Sequence, residues 1–144
     1  MSMENPFLKF HHFGLAVRRP REAEIYLRHL GYRVGEFVFD PAQNVRLAMC
    51  VHDMQPAVEI VSPGQGSGPI DAFVQRHASG IVYHLCYETS DLPSALRVLE
   101  EAGLNAICIS PPQPAPLFAG QKVSFYNIIG IGLIEVLETV SPKT

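Results

Sequence analysis

The chain has 144 residues, 47% hydrophobic and 17% charged, with eight Phe, five Tyr and a net charge of -3. That length suits one compact domain burying roughly two-thirds of the surface of its unfolded chain, and the composition excludes a disordered or membrane-spanning chain. There is no secretory signal in MSMENPFLKF, no long apolar run and no basic stretch for a phosphate backbone, so a cytoplasmic protein that binds neither membrane nor nucleic acid is expected.

The elements read as follows along the chain. After Phe10 a short apolar strand, HFGLAV, leads into a proline-started helical stretch, RPREAEIYLRHLG, that stops at Gly31. Its apolar residues, Ala23, Tyr26, Leu27 and Leu30, fall at helical spacing and predict one buried face. β-rich segments follow over Tyr32 to Phe39, Val45 to Val51 and Ala57 to Val61. The stretch GQGSGP, Gly64 to Pro69, reads as a linker, followed by a short amphipathic helix carrying Ile70, Phe73 and Val74. The pattern then begins again. HLCYET after Tyr83 is a strand, DLPSALRVLEEAG is a helix with Ala95, Val98, Leu99 and Ala102 on one face, and strands are expected over Leu104 to Ile109, Lys122 to Tyr126 and Gly132 to Leu137. Ser110 to Gly120, SPPQPAPLFAG, has too many prolines for a helix or a central strand and reads as a long loop, a candidate lid.

The two halves are one repeat. A shift of 72 positions takes His12 to His84, Ala23 to Ala95, Leu27 to Leu99 and Gly31 to Gly103. The fold class is therefore α+β, with two tandem βαβββ modules: residues 10–63, a linker with a short helix over 64–80, and residues 81–140, within one domain covering 1–144. Cys50, Cys86 and Cys108 are odd in number, far apart and without a CxxC, so they read as buried small hydrophobes.

Strand alternation singles out four polar residues. In HFGLAV the bulky Phe13, Leu15 and Val17 share the face that packs on helices, which leaves His12 opposite, with Gly14 and Ala16. His84 and Cys86 stand likewise opposite Leu85 and Tyr87. Glu59 lies between Val58 and Ile60, and Glu135 between Ile134 and Val136, a shift of 76 positions. A carboxylate in an apolar strand is costly to bury unless paired or bound to a cation. A lone strand histidine is ordinarily a hydrogen-bonded structural residue, and a lone strand glutamate ordinarily faces water, but repetition in both halves points to one site. Two neutral imidazoles and two carboxylates balance a divalent cation and leave two octahedral positions open for substrate or water. Such a set takes Mn, Co, Ni or Mg and tolerates Zn, one ion per chain, and ligand type does not choose among them. His11 reads as a surface or edge residue, Cys86 as an inert thiol on the pocket side, and His29, His52 and His77 carry no role.

FHHFGLAV, AVEIVSP, YHLCYET and GLIEVLE, in that order across residues 10 to 138, resemble the vicinal oxygen chelate superfamily (glyoxalase I, bleomycin resistance, dioxygenase), and within it methylmalonyl-CoA epimerases most closely. The resemblance implies a cupped, incomplete β-barrel around a metal held by His12, Glu59, His84 and Glu135. It also implies isomerase, epimerase or lyase chemistry in which the metal stabilises an enolate of a small acid or acyl thioester, with Glu135, or Glu59, as the base. Two departures stand out: Leu47 occupies a position where some epimerases carry a second acid/base glutamate, and Tyr126 to Gly132, YNIIGIG, is more apolar than their His-Pro turn. The expected partners are a small-molecule substrate, an acyl-CoA among the candidates, and a second copy of the chain in a homodimer. Competing readings are a metal-free, antibiotic-sequestering binding protein, which the four intact ligands disfavour, and a glyoxalase I-like lactoylglutathione lyase. A ring-cleaving dioxygenase is disfavoured by Glu59, a surplus ligand for a two-His, one-carboxylate iron site.

Overall fold

The computed structural model describes residues 4–140; the first three and last four residues, which the expected single domain takes in, lie outside the described residues. The elements are β1 (Lys9–Ala16), α1 (Pro20–His29), β2 (Arg33–Val34), β3 (Val38–Asp40), β4 (Val45–Val51), β5 (Ala57–Pro63), α2 (Asp71–Arg76), β6 (Ile81–Thr89), α3 (Leu92–Glu101), β7 (Ile107–Pro114), a 3-10 turn (Pro116–Phe118), β8 (Lys122–Ile128) and β9 (Gly132–Glu138). The class is mixed α+β. Two compact units divide the chain: His12–Tyr83, here the first unit, and the chain on either side of it, the second.

In the first unit the strand order is β2-β4-β5-β1, with β3 also on β4. β1 and β5 are parallel, and β4 runs antiparallel to β5. Val17, Leu27, Tyr32, Cys50 and Ile60 form the core, with Leu15, Ala23, Val34, Phe37 and Val58 packed against it. Pro20 starts α1 with a preset φ. Gly31, at φ +93°, ends it, and the Tyr32 N–H returns to the Leu27 carbonyl at 3.0 Å.

The helical stripe of α1 is narrower than its periodicity implies. Leu27 is buried, but Tyr26 is 62% and Leu30 39% exposed. Of its apolar residues, Leu27 lies in the core cluster and Ala23 packs against it. The strand expected over Tyr32 to Phe39 is likewise broken into β2 and β3, with Gly35 between them donating its N–H to the Met49 carbonyl at 2.9 Å. A Cβ at Gly35 would stand 2.9 Å from that oxygen, so the close approach needs glycine. The Gly64–Pro69 stretch is pinned by Asn44, whose side-chain amide donates to the Gln65 and Ser67 carbonyls.

The second unit repeats the plan in the order β6-β9-β8-β7, with β6 and β9 parallel and β8 antiparallel to both β9 and β7. Leu99, Tyr126, Ile128, Ile134 and Val136 form its core on the α3 side, with Leu92 and Leu96 among the residues packed there. The Asp91 carboxylate caps α3, accepting from the Ser94 N–H at 3.1 Å and the Ser94 hydroxyl at 2.7 Å; those hydrogen bonds hold its carboxyl below the usual carboxylate range. Ala95 and Leu99 are buried, whereas Ala102, expected on the same face, is exposed beyond the last turn.

The proline-rich Ser110–Gly120 stretch is not a loop throughout. β7 runs on to Pro114 as an edge strand with register shifts between Cys108 and Ser110 and between Ser110 and Gln113. An edge position and bulges are where a sheet tolerates residues without an N–H donor. The 3-10 turn that follows is closed by hydrogen bonds from the Phe118 and Gly120 N–H groups to the Ala115 carbonyl, at 3.1 and 3.0 Å.

Candidate metal centre

In the first unit the parallel register places Glu59 beside Gly14, with His12 two residues away on the same face of β1. Leu15 and Val17 turn to the core on the other face, as do Val58 and Ile60 around Glu59. The His12 Nε2 and Glu59 Oε1 atoms are 3.7 Å apart, and both side chains are buried. The second unit builds the same pair: Glu135 lies beside Cys86, with His84 two residues away on β6. Here Nε2 and Oε1 are 3.3 Å apart, again with both side chains buried. The His84 ring stands edge-on to Phe125, with centroids 5.6 Å apart.

Each pair joins a buried imidazole to a buried carboxylate, one nitrogen and one oxygen donor of the kinds a divalent cation takes. Within its own unit each pair, His12 with Glu59 and His84 with Glu135, is a potential pair of metal donors.

The surroundings of the two glutamates differ. Met49 lies across from Glu59 on β4, and Leu47, buried, shares that face. Cys86 and Phe125 flank Glu135, and Leu133 and Leu137 share its face of β9. Cys86, Phe125 and Leu137, with Val123 and Ala115, make a second apolar cluster against which Leu133 and Phe118 pack. Sequence reading had not singled out Phe118, Phe125 or Leu137. Parity on β8 and β9 would have found the last two, but a segment taken for a loop has no parity to read. Cys86 is buried, as expected, and so is Cys50, whose thiol burial pushes up to about 11; Cys108, expected to be buried, is exposed on the edge strand. His11 is half-buried, its ring against Phe118 at 5.6 Å. His52 has a structural part: its Nδ1 accepts from the Met54 and Gln55 N–H groups at 2.9 and 3.1 Å. The YNIIGIG turn leaves Ile129 and Ile131 largely exposed. No helix among the described residues is long and apolar enough to cross a membrane.

The family described as the glyoxalase/bleomycin resistance protein/dioxygenase superfamily matches residues 11–125. An ethylmalonyl-CoA/methylmalonyl-CoA epimerase of Cereibacter sphaeroides is 29% identical over 107 residues, covering 73% of this chain and 78% of that protein. Among solved structures, the methylmalonyl-CoA epimerase of Mycobacterium tuberculosis superposes with a TM-score of 0.74 at 23% identity, covering 99% of this chain and 93% of that one. A Streptomyces coelicolor methylmalonyl-CoA epimerase variant in complex with 2-nitronate-propionyl-CoA gives a TM-score of 0.71 at 17% identity, covering 94% and 99%. These likenesses show the fold.

Proposed function

The chain belongs to the glyoxalase/bleomycin resistance protein/dioxygenase, or vicinal oxygen chelate, superfamily, and from that premise we propose that it is a metal-dependent epimerase or isomerase of an acyl-CoA thioester. The observation that carries the reading is the buried His–Glu pair built twice on equivalent strands, His12 with Glu59 and His84 with Glu135. The relative from Cereibacter sphaeroides, named for ethylmalonyl-CoA and methylmalonyl-CoA, supports the substrate class. In this reading all four side chains hold one divalent ion.

When bound, the ion supplies Lewis-acid stabilisation of the negative charge that develops as an α-proton leaves the substrate. Glu135 takes that proton on a carboxylate oxygen and, for epimerisation, returns it to the opposite face of the planar α-carbon, which turns between the two steps; His84 Nε2 lies 3.3 Å from its Oε1. Glu59 is the other carboxylate of the set, and its neighbours Leu47 and Met49 carry no proton to exchange. Proton transfer therefore falls on Glu135. The apolar side chains around Glu135 keep water from competing for the proton.

The test is to incubate the metal-loaded protein with methylmalonyl-CoA or ethylmalonyl-CoA in deuterated water and follow the α-proton by NMR. Exchange that stops on chelation and returns with Mn, Co, Ni, Zn or Mg is the expected result. No exchange of either thioester with any of these ions contradicts the reading.

A further inference from the structure

The surface around Glu135 carries a feature that the proton transfer does not use. Ala115 is 3% exposed, and Phe118 packs on the cluster of Cys86, Val123, Phe125 and Leu137. By register, that cluster lies on the face of the sheet that presents Glu135: Cys86 and Phe125 pair with it directly, and Leu137 is two residues along the same strand. The turn that carries Phe118 is fixed at several points. Its own N–H is bonded to Ala115, the Gln121 N–H donates to the Phe118 carbonyl at 3.1 Å, and the Ala115 N–H donates to the Gln121 carbonyl at 2.9 Å. The ring also stands edge-on to His11, with centroids 5.6 Å apart. A large ring held on a closed turn, against the apolar surface flanking a carboxylate, is a wall of set position.

We infer that Phe118 is a specificity-determining residue: it bounds the space beside Glu135 and sets the size of the α-substituent that the acyl group can carry. This inference rests on the acyl-thioester reading above. Apart from the His11 ring on which it stands edge-on, the surface it completes is hydrocarbon and sulfur, Cys86, Phe125, Leu133 and Leu137, so the group it meets is an alkyl chain. An apolar wall discriminates between alkyl groups one methylene apart by about 10- to 200-fold.

The experiment measures kcat/KM for methylmalonyl-CoA and ethylmalonyl-CoA with metal-loaded wild type, Phe118→Ala and Phe118→Leu, together with calorimetric Kd values for propionyl-CoA and hexanoyl-CoA. The expected result is that Phe118→Ala shifts the ethylmalonyl-to-methylmalonyl ratio by about 10-fold or more toward the larger substrate. Phe118→Leu should fall between, and the Kd ratio should move toward hexanoyl-CoA in the same order. If Phe118→Ala does not fold, the Phe118→Leu ratios decide. A wild type that turns over substrate, with both variants slowed equally on the two substrates and both ratios within about 2-fold of wild type, overturns the specificity role alone. A wild type that neither exchanges nor binds any of these thioesters overturns the proposed function and this inference together.

Discussion

The two units solve one problem, holding a carboxylate next to a histidine inside an apolar sheet, with different surroundings. In the first, Gly14 lies beside Glu59, and the His12–Glu59 atoms are 3.7 Å apart. In the second, Cys86 lies beside Glu135, Phe125 braces the His84 ring, and the atoms are 3.3 Å apart. The helices differ in the same direction: α3 is capped by Asp91 and buries Ala95 and Leu99, while α1 has no side-chain cap and buries Leu27. A repeat thus preserves backbone plan and donor atoms while the packing around each copy diverges. In the proposed reading, the copy with the apolar cluster around it carries the carboxylate that moves a proton, Glu135, and the copy beside glycine carries the one that binds, Glu59.

Four substitutions or pairs of substitutions test that asymmetry, the largest effect first. Glu135→Gln should lower kcat by about 10²- to 10⁴-fold, the range for removing a general base. Glu59→Gln should lower it by at least about tenfold less, as steady-state rates on the metal-loaded proteins would show. Equal losses would remove the distinction between the glutamates. In the cores, Leu99→Ala and Leu27→Ala should each cost about 2–5 kcal/mol in denaturant unfolding, both leucines being at least nine-tenths buried. Tyr26→Ala, at an exposed position, should stay within about 0.5 kcal/mol; a large loss there would mean that α1 buries the wider stripe its periodicity suggested.

The caps give the smallest effects. Arg19→Ser, at the uncapped start of α1, would complete a capping box with Glu22 three residues on and raise stability by about 0.5–1 kcal/mol. Asp91→Ala should remove the cap of α3 and lower Tm, with a sign set by pH. The folded carboxyl lies below its unfolded value, so the stabilisation is present above about pH 4 and lost as pH falls through the folded value. Thermal melts of both variants between pH 7 and pH 2 would show wild type and Asp91→Ala converging in acid.

Much of this was legible before any coordinates. The 72-residue repeat and the alternation of HFGLAV and HLCYET place His12 and His84 on equivalent strands, and a glutamate between two aliphatics needs no structure to be noticed. Alternation works because a strand has one covered face and one period. It fails where backbone pairing is irregular: the bulges in β7 let Pro111, Pro112 and Pro114 sit in a strand, and the approach of Gly35 to Met49 splits one expected strand into two. Helical period overstates burial on α1 for a related reason, since period reports which residues share a side and not how wide the contact is. Phe118 was invisible because its place depends on a turn closed by backbone hydrogen bonds that no side-chain pattern announces.

The central claim is tested most directly by the metal-to-chain ratio of the protein purified without chelator, measured by elemental analysis beside His84→Ala and Glu135→Ala. The account predicts about one divalent ion per chain in the wild type, and its loss in both variants while circular dichroism shows them folded. A wild type that stays empty when offered Mn, Co, Ni, Zn and Mg, or variants that keep a full ion, would contradict it.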